Sequence, residues 1–372
     1  MPTCSVKGLP SDGGPTNASE KSLKGGDDDM KKTLAAIVTA ATALGSAPAW
    51  AQDLQEVDVL TPLPRHTAWF PLIVGEALGY FEEEGIAVNL VNGGDLPATA
   101  FLENGQVDIA ALDPSEVILA EERGFDFDVV YEVMHGAVEG IFVLESNPAE
   151  SLADLAGTTI GIVGESDRGL LLSALGHAGV SEDDVTIAVL GESAPLLANS
   201  LQTEQVSAIV GAISDFVAIR SQDIQIKDVL PPEMGNQPAN NFAMRADAIG
   251  GENEELVQGF FNAWAKSAYA GLHDLEATRA MVMEADPENW VNEDLGTIFL
   301  EAAQDLHRPD GEVFGDVRHD VWQGVIDEMS EVGMIESEVS TDEILNDHYL
   351  ETANDFDRAE VEEEVQAYKD SM

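Results

Sequence analysis

The sequence predicts an α/β protein of two similar lobes, each a mainly parallel sheet flanked by helices. Three observations carry this expectation. Short β-type runs alternate with amphipathic helical runs at brief intervals, the pattern of βαβ units. Two stretches echo one another: "PATAFLENGQVDIAALD" (97–113) and "PLLANSLQTEQVSAIVGAISD" (195–215) each run helix, Gln-Val, strand, aspartate. The length, 372 residues of which 44% are hydrophobic, suits two lobes with a substantial core.

Taken in order, Val57 to Leu60 reads as a short buried strand followed by a Pro62/Pro64 turn. Trp69, Ile73 and Ala77, with Phe70, Val74, Leu78 and Phe81, then share one helical face. Pro71 fits the first turn of that helix, where its missing N–H has no partner to lose, and Gly85 is the expected stop. Ile86 to Val91 is a strand, Leu96 to Glu103 a helix, Val107 to Leu112 a strand and Pro114 to Glu122 a helix. Phe127 to Val133 and Gly140 to Leu144 are strands. The alternation resumes with strands at Thr159 to Val163, Val185 to Leu190 and Val206 to Gly211. The helices between them cover Leu170 to Leu175 and Ala194 to Leu201. After Pro231-Pro232, "NNFAMRADAI" reads as a strand returning to the first lobe. Four helices follow, over Glu254 to Leu272, Leu275 to Glu284, Leu295 to Leu306 and Val317 to Val332. Ser337 to Met372 is open between a packed helix and a loose acidic tail.

Charge is the anomaly: 70 acidic against 17 basic side chains, a formal net of −53. Such a surface repels nucleic acid and anionic lipid. The acidic residues are spread through segments with clean hydrophobic periodicity, so they read as a solvated shell suited to a salty habitat rather than as disorder. Near the N-terminus, a positive start at Met30-Lys-Lys, an apolar run Leu34 to Leu44 and Ala49-Trp50-Ala51 predict a signal peptide over 30–51. Residues 1–29 then read as a non-native upstream extension. The single cysteine, Cys4, lies before that signal, so the mature chain is expected to have no disulfide, thiolate nucleophile, cysteine metal site or lipid anchor, and to be free and soluble in the periplasm.

Signatures of bond-making chemistry do not appear. There is no phosphate-cradling Gly-Lys-Ser/Thr loop and no GxGxxG after the first strand. "GESDR" (164–168) fails as a nucleophile elbow because Arg168 stands where a glycine is needed. The seven histidines form no HExxH. The expectation is therefore no enzyme, no cofactor and no metal. What remains are polar residues at the C-terminal ends of strands, where open α/β sheets bind ligands. These are Arg65, His66, Thr67 and Trp69; Asp113 and Ser115; Ser166, Asp167 and Arg168 within "GESDRG"; and Ser214 with Asp215. Asp113, Ser115, Ser166 and Asp215 also read as N-caps, worth about 1 kcal/mol each, and for any one alone the cap is the simpler reading. Trp69 also reads as core and His66 as a turn residue. For Arg168 two readings stand level: pairing with Asp167, or a bidentate clamp on an anionic ligand group.

The stretch "HTAWFPLIVGEALGYFEEEGIAVNLVNGGD" (66–95), with "LENGQVDIAALD" (102–113), "SLADLAGTTIGIVG" (151–164) and "LQTEQVSAIVG" (201–211), resembles the periplasmic solute-binding proteins of ABC importers. The group concerned includes sulfonate, taurine, nitrate and thiamine-pyrimidine-precursor binders. The resemblance implies a type II periplasmic-binding-protein fold, with lobes of 52–138 plus 239–372 and of 139–238. It implies crossings near Gly136–Glu139 and Pro232–Asn241 and closure on a small molecule by hinge motion. Carried over, His66, Thr67 and Trp69 with Asp113, Ser115 and Asn241 face the ligand from one lobe. Ser166, Asp167, Arg168 and Asp215 close from the other. The implied ligand is a sulfonate, a carboxylate or a flat heterocycle, delivered by a monomer to an inner-membrane permease. Some relatives are pyrimidine synthases that use a cysteine-rich iron motif and a sacrificed histidine, and the missing cysteines argue against that activity. A sensory domain of a regulator needs a basic helix-turn-helix that the sequence lacks. A ligand-sensing subunit feeding a receptor stays open.

Overall fold

The structure, a computed structural model, describes residues 54–372 apart from 63–64, 92, 94–96, 192 and 332. The expected signal peptide, the upstream extension and Cys4 lie outside the described residues. Among the described residues ten strands form two five-stranded sheets. The first holds β1 (Gln55–Leu60), β2 (Ile86–Leu90), β3 (Ile109–Leu112), β4 (Phe127–Glu132) and β10 (Asn241–Arg245) in the order β2-β1-β3-β10-β4. The second holds β5 (Glu139–Leu144), β6 (Thr159–Ile162), β7 (Thr186–Val189), β8 (Ala208–Ala212) and β9 (Ile226–Asp228) in the order β7-β6-β8-β5-β9.

The chain passes between the sheets twice, after β4 and after β9. Each crossing delivers a strand that enters its new sheet reversed. β10 pairs antiparallel with both β3 and β4, and β5 antiparallel with both β8 and β9, while β1–β2, β1–β3, β6–β7 and β6–β8 are parallel. This is the two-lobed periplasmic-binding-protein fold of type II. The short strand β9 carries no alternating pattern in the sequence and is an addition to the expected elements.

The first predicted helix breaks earlier than Gly85. It runs Phe70–Leu78, ends at Gly79 in the left-handed region (φ 82°), and restarts as the single turn Tyr80–Glu83. The left-handed turn costs a glycine little, and it re-aims Tyr80 and Phe81 into the core. This helix crosses the helix Glu254–His273 at close range, with Gly75 facing Ser267 and Gly271 facing Phe70. A Cβ at either glycine would overlap its neighbour. The open question at the C-terminus resolves toward packing: Tyr349, Val361 and Val365 are buried, and Leu345 bridges to Val129 at the free edge of β4. Among the described residues no helix is long and apolar enough to cross a membrane.

The first sheet and the C-terminal helices share one core, centred on Trp69, Phe242, Phe260, Phe261 and Trp264. The second sheet has a separate cluster on each face. The lobes therefore have independent cores, joined by the crossings and by surface contacts, the arrangement that permits hinge motion.

Candidate ligand cleft between the lobes

Three strand ends, each followed directly by a helix, carry the candidate ligand contacts. On the first lobe, β3 ends at Leu112 and the chain turns at Asp113 into the helix Pro114–Glu122. The Asp113 N–H donates to Glu116 Oε2 at 3.0 Å, one half of a capping box. On the second lobe, β6 ends beside Gly164, whose N–H donates to Asp167 Oδ2 at 2.7 Å. β8 ends at Ala212, whose N–H donates to Asp215 Oδ2 at 3.0 Å. Asp167 and Asp215 thus repeat one device, a carboxylate closing the turn that opens a helix. The Asp215 turn is tight: a Cβ on Gly211 would lie 2.9 Å from Oδ2.

Electrostatics place the carboxyl groups together across the gap. Burial raises the Asp113 carboxyl to about 6, with Glu116 and then Glu139 adding to the effect. Glu139 opens β5 just after the first crossing. Burial raises it too, and Asp167 adds to the shift. Asp113 and Glu139 are both solvent-accessible. Accessible groups with a desolvation-driven rise are walled in by protein on most sides while open to solvent on one, as in a cleft.

His66 stands at the wall of the first lobe. Its Nδ1 accepts from the Ala68 N–H at 3.1 Å, which leaves the other ring nitrogen to carry the proton in the neutral form. Burial lowers its pKa, partly offset by Asp286, and its ring meets the edge of Phe299 at 5.4 Å. Phe299 belongs to the helix Glu293–Leu306, which also packs against the second-lobe helix Ile213–Arg220. Between those two helices lies a pocket of about 270 Å³, with Glu139, Phe216 and Arg220 on one side and Ile298, Glu301 and Asp305 on the other. This is just under the usual range of about 300–1,000 Å³ for small-molecule sites.

Four expected contacts are corrected. Thr67 is buried, and both its N–H and Oγ1 donate to Asp286 Oδ2, at 3.1 and 3.2 Å, while Oγ1 accepts from Trp290 Nε1 at 3.2 Å. It anchors the His66 turn and does not reach the cleft. Trp69 is 1% exposed and packs on Phe242 and Trp264, so it is core. Asn241 is sealed inside the first sheet, its Nδ2 donating to the Leu112 carbonyl at 3.3 Å. Arg168 turns back to Glu165, with Nε 2.8 Å from Oε2, and approaches Glu182 at 4.0 Å. The pairing reading holds, though with Glu165 rather than Asp167. Ser115 is half-buried at the Asp113 turn, and the Ser166 side chain lies outside the described residues. Because Arg168 is committed to surface carboxylates, Arg168→Ala is expected to leave ligand affinity within about twofold, checked by equilibrium titration.

Sequence reasoning missed Glu139 and Phe299 as site residues. Glu139 sat inside the expected crossing and was legible as a polar residue at a hinge. Phe299 lies on a helix more than two hundred residues from His66, and no local pattern marks it. Among the described residues no three His, Cys, Asp or Glu side chains are grouped to hold a metal ion.

With the geometry in place, comparison with known proteins adds lineage. The model of the family described as NMT1/THI5 like matches residues 66–274, from the His66 turn to just past the helix Glu254–His273. The chain belongs to the NMT1/THI5-like family. A riboflavin-binding protein, RibY of Chloroflexus aurantiacus, is 30% identical over 238 residues, covering 62% of this chain and 65% of that protein. A 4-amino-5-hydroxymethyl-2-methylpyrimidine phosphate synthase of Schizosaccharomyces pombe is 28% identical over 133 residues, covering 35% of this chain and 38% of the synthase. The chain thus spans a little under two thirds of the first relative's length and under half of the second's. In structure, the periplasmic aliphatic sulphonate binding protein SsuA of Escherichia coli superposes with a TM-score of 0.58 at 19% identity, covering 79% of this chain and 99% of SsuA. At that identity the likeness is one of fold. The relatives of this chain therefore include both a protein named for binding and one named as a synthase.

Proposed function

We propose that this protein is an extracytoplasmic binding protein that captures a small, flat, nitrogen-containing heterocycle bearing hydrogen-bond donors and delivers it to an ABC permease. In this reading it is a monomeric periplasmic carrier with no nucleic-acid partner, and riboflavin is the first ligand to test. Residues 52–138 and 239–372 form one lobe and 139–238 the other, hinged at the two crossings.

The single observation that carries the reading is the polarity of the cleft. Asp113 and Glu139 present carboxyl groups from opposite lobes, and Arg168 is turned away to Glu165, which leaves Arg220 as the cation lining the pocket beside Glu139, Asp228, Glu301 and Asp305. A cleft in which carboxyl groups outnumber the arginine favours a ligand that donates, such as ring N–H, amino or hydroxyl groups, and disfavours a sulfonate or carboxylate. The neutral His66 ring edge-on to Phe299 supplies an aromatic wall suited to a flat ring. The relative named for riboflavin matches a much larger share of the chain than the synthase does, which supports a binder over an enzyme. The mature chain's lack of cysteine supports the same side.

The test is thermal unfolding of the mature protein in molar salt with riboflavin, aminopyrimidines, alkanesulfonates and carboxylates. A ligand at a hundred times its dissociation constant adds about 2.7 kcal/mol to stability, a rise of several degrees. Heterocycles are expected to stabilise and oxyanions to do nothing. A shift produced by sulfonates alone would overturn the assignment.

A further inference from the structure

The helix His319–Glu331 packs with the first lobe: its Trp322 Nε1 donates to Glu132 of β4 at 2.9 Å, and it lies along the helix Pro114–Glu122. From that helix the Glu328 carboxylate reaches out of its own lobe. One oxygen accepts from Ser173 Oγ, on the second-lobe helix Arg168–His177, and the other accepts from Gln237 Nε2 at 3.1 Å, on the second crossing. All three side chains are half-buried. One carboxylate therefore ties together the first lobe, the second lobe and the segment that hinges them. We propose that Glu328 is a positioning residue for ligand capture: a latch that holds the lobes closed and sets how long a ligand stays.

The chemistry suits a chain with 17 basic residues. Asp113 on the first lobe and Glu139 on the second repel one another across the cleft and push the lobes apart. A cation-based latch is scarce in such a sequence. A carboxylate held by two neutral donors closes the gap without one, and hydrogen bonds to a charged acceptor are the stronger kind. Since neither donor carries charge, the latch itself is little weakened by salt, while the repulsion it opposes is screened. Closure is thus expected to depend most on Glu328 at low ionic strength.

The inference rests on the cleft being the ligand site, and its test includes an arm that needs no ligand. Small-angle X-ray scattering of the ligand-free protein is compared for wild type, Glu328→Ala, Glu328→Gln and Ser173→Ala at high and low salt. Glu328→Ala is expected to raise the radius of gyration, more at low salt, with unchanged far-ultraviolet circular dichroism. Glu328→Gln, which keeps an oxygen for Ser173, is expected to restore part of the compact form. Ser173→Ala added to Glu328→Ala is expected to change nothing further, because both remove the same bond. For riboflavin, Glu328→Ala is expected to raise the dissociation rate about tenfold with little change in association. A radius of gyration identical to wild type in Glu328→Ala overturns the latch. Expansion of the mutant in a protein whose wild type ignores riboflavin upholds the latch and removes the ligand assignment instead.

Discussion

Arg318→Ala is expected to cost about 3–5 kcal/mol of folding stability, the loss that follows when one half of a buried ion pair is removed. Glu132, the last residue of β4, is fully buried. It accepts from the Arg318 N–H and Nε, both at 2.9 Å, and from Trp322 Nε1 at 2.9 Å. Arg318 also donates through Nη2 to the His135 carbonyl at 2.7 Å and through Nη1 to Asp310 at 3.0 Å. Without the guanidinium, Glu132 loses its cationic partner and keeps only neutral donors such as Trp322 Nε1, and His135 loses one of the bonds that hold it. Urea unfolding at constant salt measures the loss. Glu132→Gln combined with Arg318→Met is expected to recover much of it, since replacing both partners leaves no stranded charge. A loss below about 1 kcal/mol in Arg318→Ala would show that water reaches Glu132 and that the network is a surface feature.

Trp69→Ala is the second large effect, about 3–5 kcal/mol, from emptying an indole-sized space in the first lobe. The indole packs on Phe242 at 6.0 Å and on Trp264 at 6.2 Å between ring centres, within the aromatic centre of that core. Phe242 lies on β10, the strand returned by the second crossing, so the cavity opens where the two crossings meet the first sheet. The expected outcome is a fall in the urea midpoint with ligand affinity of the remaining folded protein changed far less. The reverse pattern, normal melting with lost affinity, would place Trp69 in the cleft after all.

Much of this was legible in the sequence. The strand and helix alternation follows from periodicities of 2 and 3.6 that survive in any context, and the strand-end positions of Asp113, Asp167 and Asp215 follow from it. The roles of individual side chains were harder to read, and for identifiable reasons. Thr67 is fixed by Asp286, 219 residues later, so nothing near it signals burial. Trp69 and His66 are three residues apart, one in the core and one at the cleft wall, because His66 is the extended N-cap (φ −102°, ψ 153°) and stands outside the 3-10 turn Thr67–Trp69. Arg168 is a milder case. Its partner Glu165 sits three residues earlier, within reach on a helical turn, and that spacing was present in the sequence. The strand β9 is three residues long and held by pairing with β5, a tertiary cause that no local pattern records.

A cleft that accepts hydrogen bonds from a flat heterocycle is expected to reject oxyanions. The most direct measurement is a titration of riboflavin into the mature protein in molar salt, followed by quenching of the flavin's own fluorescence and repeated with excess ethanesulfonate. Saturable one-to-one quenching that ethanesulfonate does not displace is the expected result. Displacement by ethanesulfonate, or sulfonate binding with no flavin quenching, would contradict it.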